Sequence, residues 1–341
     1  MKEQILLQYT QENWKKNIWV WMLAAGLIVC VWASLSLTSH GFMFGEVGRS
    51  ILHPAERTAT ILWMLRLPRV VMAVLVGAGL GVAGAIFQAI LKNPLASPFT
   101  LGVGASAGLG AVIVILFGAG ILGAWAVATG AFVFAIVSAL FILIVASKTR
   151  TRPQTMILVG IAQMYLCSSL TSLFQYTGSM EQIAEIVFWF FGSLSKVGWR
   201  EVGVSAICIL LPMPYVIRAG WDLNVLSQGD ETAISLGVKV ASLRRRTLFA
   251  ASLMTAGAIC FTGVIGFVGL VAPHMTRMIM GNEQPRQLIG SAVMGGLLVA
   301  AADMVSRVLL APQIIPIGIV TAFVGVPFFF YLLLRKPKEV W

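Results

Sequence analysis

Long apolar runs alternate with short polar stretches through most of this 341-residue chain. They fall at about 18–38, 61–86, 98–117, 121–147, 155–176, 202–218, 247–270, 273–284, 288–309 and 315–334. A hydrocarbon core about 30 Å thick takes roughly 20 apolar residues per helix, so the pattern predicts an all-α polytopic membrane protein with ten transmembrane helices. Two runs are irregular: 98–117 is rich in glycine, and Pro273 is expected to break a long apolar stretch into a normal and a short segment. An eleventh stretch, Ile183 to Leu194, is too short to cross, and its cluster of Phe188, Trp189, Phe190 and Phe191 suits the outer interface. The polar start, Met1 to Asn17, precedes an apolar run longer than a cleaved signal core, which reads as a retained first helix. Little sequence is left for a soluble domain, so residues 1–341 read as a single transmembrane domain.

Composition agrees with the bilayer: 58% of residues are hydrophobic, 11% are charged and the mean hydropathy is +0.90. The 34 glycines predict helices packed closely in one bundle. A net charge of +11 would point to nucleic acid in a soluble protein; here it has a topological reading and no nucleic-acid partner is expected, because Lys and Arg collect in cytoplasmic loops. With both termini in the cytoplasm, 17 of the 24 basic residues fall inside, leaving Arg49, Arg57, Arg66, Arg69, Lys196, Arg200 and Arg307 outside. A crossing at 183–194 would move the most basic loop outside, which argues for ten spans.

Catalytic chemistry finds no foothold in the pattern. The three histidines, His40, His53 and His274, lack metal-ligand spacing, and Cys30, Cys167, Cys208 and Cys260 stand singly in apolar runs, where they read as packing residues. No metal or bound cofactor is expected. There is no Gly-rich Lys-Ser/Thr phosphate loop, so the chain should not hydrolyse ATP by itself. His274, after Pro273, is expected to serve backbone freed at a helix break. Asp303 is the one intramembrane carboxylate that stands out; it should pair with Arg307 one turn later or face an aqueous cavity, and it is the one candidate for a proton site.

At an offset of 179, Arg66, Gly84, Ile86, Leu91, Pro94 and Gly102 meet Arg245, Gly263, Ile265, Leu270, Pro273 and Gly281. The two copies would start on opposite membrane faces, which predicts an inverted internal repeat of the kind that permits alternating access. The largest polar loop, Ala219 to Arg246, is cytoplasmic on this topology. Asp230 and Glu231 are placed to open a short helix and Gly237 to end it after about two turns. By itself the stretch fits either a docking element or a solvated linker whose basic residues hold the loop inside.

Several motifs occur in order: Leu65-Arg-Leu-Pro-Arg69, Gly84 with Gln88, Asn93-Pro-Leu-Ala-Ser-Pro98, Leu101-Gly102, and Gly266-Phe-Val-Gly-Leu-Val-Ala-Pro-His274 with Arg277. Ala302-Asp303-Met-Val-Ser-Arg307, Pro316-Ile-Gly-Ile319 and Gly325-Val-Pro-Phe328 follow. Together they resemble the iron-chelate and cobalamin permease family of ABC importers, over about residues 17–335.

The resemblance implies ten spans per subunit, a homo- or heterodimer, two copies of a separate cytoplasmic ATPase carrying ATP and Mg, and an extracytoplasmic substrate-binding protein. It implies that Asp230, Glu231, Ser235, Leu236 and Gly237 form the ATPase-coupling element. It also implies that Arg66, Arg69 and Arg307 receive acidic residues of the binding protein, for which bidentate guanidinium groups are suited. The cytoplasmic gate, at the start of the fifth span, falls at Pro153 and Gln154. Family members often carry a Glu two residues before the Pro-x-Gly motif; this chain has Ile314, which favours a heterodimer. The function expected is ATP-driven import of a ferric siderophore or related iron chelate along the dimer axis, in a bacterial cytoplasmic membrane. Hydroxamate, catecholate, citrate, haem and cobalamin all fit the resemblance. The rivals are an ion-coupled secondary transporter acting alone through Asp303 and a membrane-embedded enzyme, for which no paired catalytic groups share a depth.

Overall fold

A computed structural model describes residues 2–38, 41–42, 44–52, 57–118, 123, 125–148 and 152–334. His40, His53, Arg150 and the basic tail of Arg335, Lys336 and Lys338 lie outside the described residues. Helix α1 (Lys2–Ser36) leads through α2 (Phe44–Leu52) and α3 (Arg57–Ile61) to a π-helical turn, Leu62–Arg66, which runs straight into α4 (Leu67–Leu91). Helices α5 (Val103–Phe117), α6 (Ala126–Lys148), α7 (Pro153–Thr177) and α8 (Met180–Phe191) follow. Then come α9 (Trp199–Leu210), α10 (Met213–Ser227), the short α11 (Asp230–Ser235) and α12 (Val240–Thr262). The chain closes with α13 (Val268–Met280), α14 (Gln284–Val308) and α15 (Ile317–Leu334). Among the described residues the one strand pairing joins Leu37–Thr38 to Gly41–Phe42.

Each predicted apolar run overlaps helix, and among the described residues six helical segments are long and apolar enough to cross a membrane. α12 opens on Arg244, Arg245 and Arg246, and α5 and α15 are shorter apolar helices. Most of the stretch at 183–194 lies on α8, a helix of 12 residues, Met180–Phe191, well short of a crossing.

α4 is the axis of the bundle. Val76, Leu80, Ile86, Phe87 and Ile90 are all buried, and a helix apolar on every side must be covered on every side. Its main neighbour, α14, runs antiparallel: Gly77 faces Gly295, Gly81 faces Ser291 and Arg69 faces Asp303. A Cβ at Gly77 would lie 2.6 Å from the Gly295 carbonyl carbon, so only hydrogen at these positions lets the two backbones meet. On another face a Cβ at Gly84 would stand 2.5 Å from the Gly269 carbonyl carbon, which brings α13 equally close.

Two readings are corrected. Pro273 lies inside α13 rather than ending a helix. The break comes earlier, where Gly263 takes φ 69° and Phe267 φ 65°, and it turns the chain before α13 begins. Pro273 is tolerated because the Gly269 carbonyl, four residues back, packs on α4 at Gly84, while the Leu270 carbonyl accepts from Gln88 Nε2 at 3.3 Å. The 202–218 run lies on one membrane-length helical segment, Trp199–Ser227, in which α9 and α10 are joined by a turn at Leu211 and Pro212. The six pairs at offset 179 do not occupy equivalent positions: Gly84 lies within α4 whereas Gly263 ends α12, and Pro94 lies in a loop whereas Pro273 is helical. An offset of 179 therefore does not pair equivalent elements.

Candidate functional site

Two charged clusters sit at opposite ends of α4, whose 25 residues span about 37 Å at 1.5 Å per residue. At the Lys92 end is α11. Gly229 precedes it with φ 129° and Gly237 follows with φ 87°. Val238 N–H donates to Ala233 O at 2.9 Å and Gly237 N–H to Ile234 O at 3.0 Å, the paired bonds that close a helix on a left-handed glycine. The predicted short helix and its stop are therefore both present. Ala233 is buried, but Ile234 and Leu236 are 62% and 68% exposed, and Glu231 and Ser235 also face outward.

Asp230 faces the other way. Its Oδ2 lies 2.7 Å from Arg244 Nη1, and its Oδ1 lies 2.9 Å from Arg244 Nη2 and 2.8 Å from Lys92 Nζ. Burial works against the charge, but hydrogen bonds and charge from Arg244 and Lys92 outweigh it and hold the carboxyl below its ordinary range. Arg244 is only 2% exposed, and its Nε donates to Ile90 O at 3.2 Å, at the negative end of α4. Lys92 is itself in the left-handed region, φ 49°, where it terminates α4 through Lys92 N–H to Ala89 O and Asn93 N–H to Gln88 O. Sequence reading placed Asp230 on the coupling element but missed Lys92 and Arg244.

At the far end of α4, Asp303 is 1% exposed and held between two arginines. Arg69 donates from Nε to Oδ1 at 2.9 Å, with Nη2 at 2.8 Å from the same oxygen. Arg307 Nε lies 3.2 Å from Oδ2 while donating to the Asp303 backbone carbonyl, so that oxygen is paired by charge without a hydrogen bond. Arg307 also reaches the Ser34 carbonyl and hydroxyl, and Arg66 Nη1 donates to Leu35 O at 3.2 Å, which ties α1 to the cluster. The expected Asp303–Arg307 pair is present, and Arg69 joins it. Two cations around one carboxylate form a structural clamp between α4 and α14. Arg69 and Arg307 are each 13% exposed, and their side chains are engaged inside the protein.

Pro153 opens α7 in its first turn with Gln154 exposed beside it. Ile314 is 48% exposed. His274 stacks edge-on to Phe328 with centroids 6.3 Å apart, and Gln88 serves the neighbouring carbonyl. An open apolar cavity of about 540 Å³ lies along α15, lined by Phe190, Phe191, Phe267, Ile319, Phe323 and Val326 among others. Phe267 reaches it from its left-handed conformation by packing on Gly325.

The model of the FecCD transport family matches residues 26–335. An ABC transporter permease from Methanocaldococcus jannaschii is 39% identical over 290 residues, spanning 82% of this chain and 83% of that one. The vitamin B12 import system permease protein BtuC of Yersinia pestis is 36% identical over 285 residues, 82% of this chain and 84% of its own. A solved metal-chelate type ABC transporter in an inward-facing conformation superposes with a TM-score of 0.84 at 29% identity, covering 93% of this chain and 99% of that chain.

Proposed function

The chain belongs to the FecCD transport family of ABC importer permeases, and from that premise we propose that it carries a ferric siderophore or similar iron chelate inward at the expense of ATP hydrolysed by a separate subunit. An importer permease of this kind works with a partner permease and an ATPase. The observation that carries the reading is α11, a helix fastened to the bundle through Asp230 and Ala233 that offers Ile234 and Leu236 to the outside. Exposed apolar side chains on a braced helix are what a protein partner can grip. In this reading α11 docks the ATPase, the membrane is crossed ten times with both ends cytoplasmic, and Pro153 and Gln154 stand near the inner gate.

The binding protein would dock at the opposite end, where Arg66, Arg69 and Arg307 cluster. The apolar cavity along α15 supports a wall for a bulky chelate, with few charged contacts and weak intrinsic affinity. The likeness to a B12 permease makes cobalamin the alternative cargo. The test is uptake into vesicles containing the permease, its ATPase and its binding protein, with ferric hydroxamate and cobalamin supplied in parallel. Uptake of the iron chelate should require ATP; uptake by the chain alone on an ion gradient would overturn the proposal.

A further inference from the structure

We infer that Asp230 is the positioning residue that locks α11 to α4 and α12, so that a displacement of α11 is delivered to the bundle instead of being absorbed at its own ends. The inference rests on the reading of α11 as the coupling helix. It departs from the expectation that Asp230 is itself a contact for the ATPase.

Three observations converge. First, both covalent attachments of α11 are glycines with positive φ, Gly229 and Gly237, and a Cβ built at Gly237 meets nothing within 4 Å. Backbone hydrogen bonds close the turns at both glycines, but neither glycine has a side chain with which to fasten the helix to the bundle. Second, two side chains one turn apart tie it to the bundle: Ala233, fully buried, and Asp230, whose carboxylate turns inward although its side chain is 40% exposed. An alanine contact resists separation but not rotation about it. The carboxylate adds the second point of attachment, with bidentate geometry on Arg244 that is sensitive to orientation.

Third, the groups that hold Asp230 are anchored. Arg244 is buried and also bonds the Ile90 carbonyl, and Lys92 is the residue on which α4 terminates. One carboxylate thus joins α11 to two of the most buried helices. α4 then continues, packed backbone to backbone on α14, as far as the Arg69–Asp303–Arg307 cluster at its other end. Charges of alternating sign line the joint, from the α4 C-terminus through Arg244 to Asp230, and an isosteric Asn would keep the shape while losing the ionic bidentate pair.

The experiment is a distance measurement between spin labels on Thr232→Cys and Leu95→Cys, both exposed positions, in a chain whose four native cysteines are replaced by serine or alanine. The probes of the cycle are the ATPase subunit itself and ATP with vanadate. With Asp230 present, the separation should be single and unchanged by nucleotide, because α11 and the end of α4 move together. In Asp230→Asn the distribution should broaden about twofold and become nucleotide-dependent, with the ATPase still co-purifying, and Asp230→Glu should recover most of the wild-type behaviour. A merely static role would alter the resting distance without making it respond to nucleotide.

Adding Lys92→Gln to Asp230→Asn should change nothing further, since the two act through one joint. A wild-type separation that itself changes with ATP and vanadate, or an Asp230→Asn protein indistinguishable from wild type, overturns the inference. So does loss of ATPase binding in Asp230→Asn with an unbroadened distribution, which would make Asp230 a docking contact. Failure of the wild-type chain to bind any ATPase would instead overturn the coupling reading, while the effect of Asp230→Asn on the resting distance could still be read in the isolated chain.

Discussion

Replacing Gly84 by alanine tests whether backbone contact at α4 holds the bundle together. The added Cβ would stand 2.5 Å from the carbonyl carbon and 2.8 Å from the Cα of Gly269. Carbon atoms in contact prefer about 3.5–4.0 Å, so α13 must retreat by roughly 1 Å, and no flexible side chain is present to yield in its place. α4 cannot retreat instead, since Gly77 and Gly81 press it equally hard on α14. Overpacking of this kind typically costs about 1–3 kcal/mol, and backbone against backbone belongs at the upper end. Two substitutions serve as controls, Gly26→Ala in α1 and Gly203→Ala in α9, where a Cβ meets nothing within 4 Å. The assay is the temperature at which detergent-solubilised protein loses its monodisperse peak. Gly84→Ala should fall by several degrees and the controls should hold or rise slightly, alanine being the better helix former. If Gly84→Ala matched the controls, the close approach of α4 and α13 would be wrong.

Asp303→Asn should destabilise the detergent-solubilised protein by about 3–5 kcal/mol, because it strands Arg69 and Arg307 nearly buried; Asp303→Leu with Arg69→Leu should be milder, and thermal denaturation distinguishes them. Leu236→Asp, at a 68% exposed position, should leave thermal stability unchanged while weakening ATPase binding about tenfold or more, as read by co-purification titration. The Asp230 carboxyl titrates lower in the folded chain than in the unfolded one, so its contribution is complete above the ordinary carboxylate range and is lost as pH falls through its depressed value. The Thr232–Leu95 separation should accordingly be flat from neutrality down to mildly acidic pH and broaden only in stronger acid; broadening near neutral pH would refute the assignment.

What the sequence made legible was local. Apolar runs located the helices because length and hydropathy suffice for that, and Gly237 ended α11 where a left-handed residue was required. The Asp303–Arg307 pair was readable from its one-turn spacing. Its other partner was not: Arg69 lies 234 positions away, and no periodicity links them. The same holds for Lys92, which is 138 positions from Asp230. Pro273 misled for a related reason, since local rules make it a breaker, whereas packing of Gly84 on Gly269 supplies the room and Gln88 the hydrogen bond that let the helix continue. The arginines placed on the outer side were read only as docking residues for a binding protein; that two of them also hold a buried carboxylate was not legible.

On the proposed reading, the glycines that bracket α11 would also make it an exchangeable adaptor. The outward residues between them would then be able to vary with each motor without disturbing the membrane-embedded scaffold, provided the aspartate and alanine beneath are kept. Grafting the stretch 229–237 between related transporters should therefore transplant motor preference while leaving cargo selection behind.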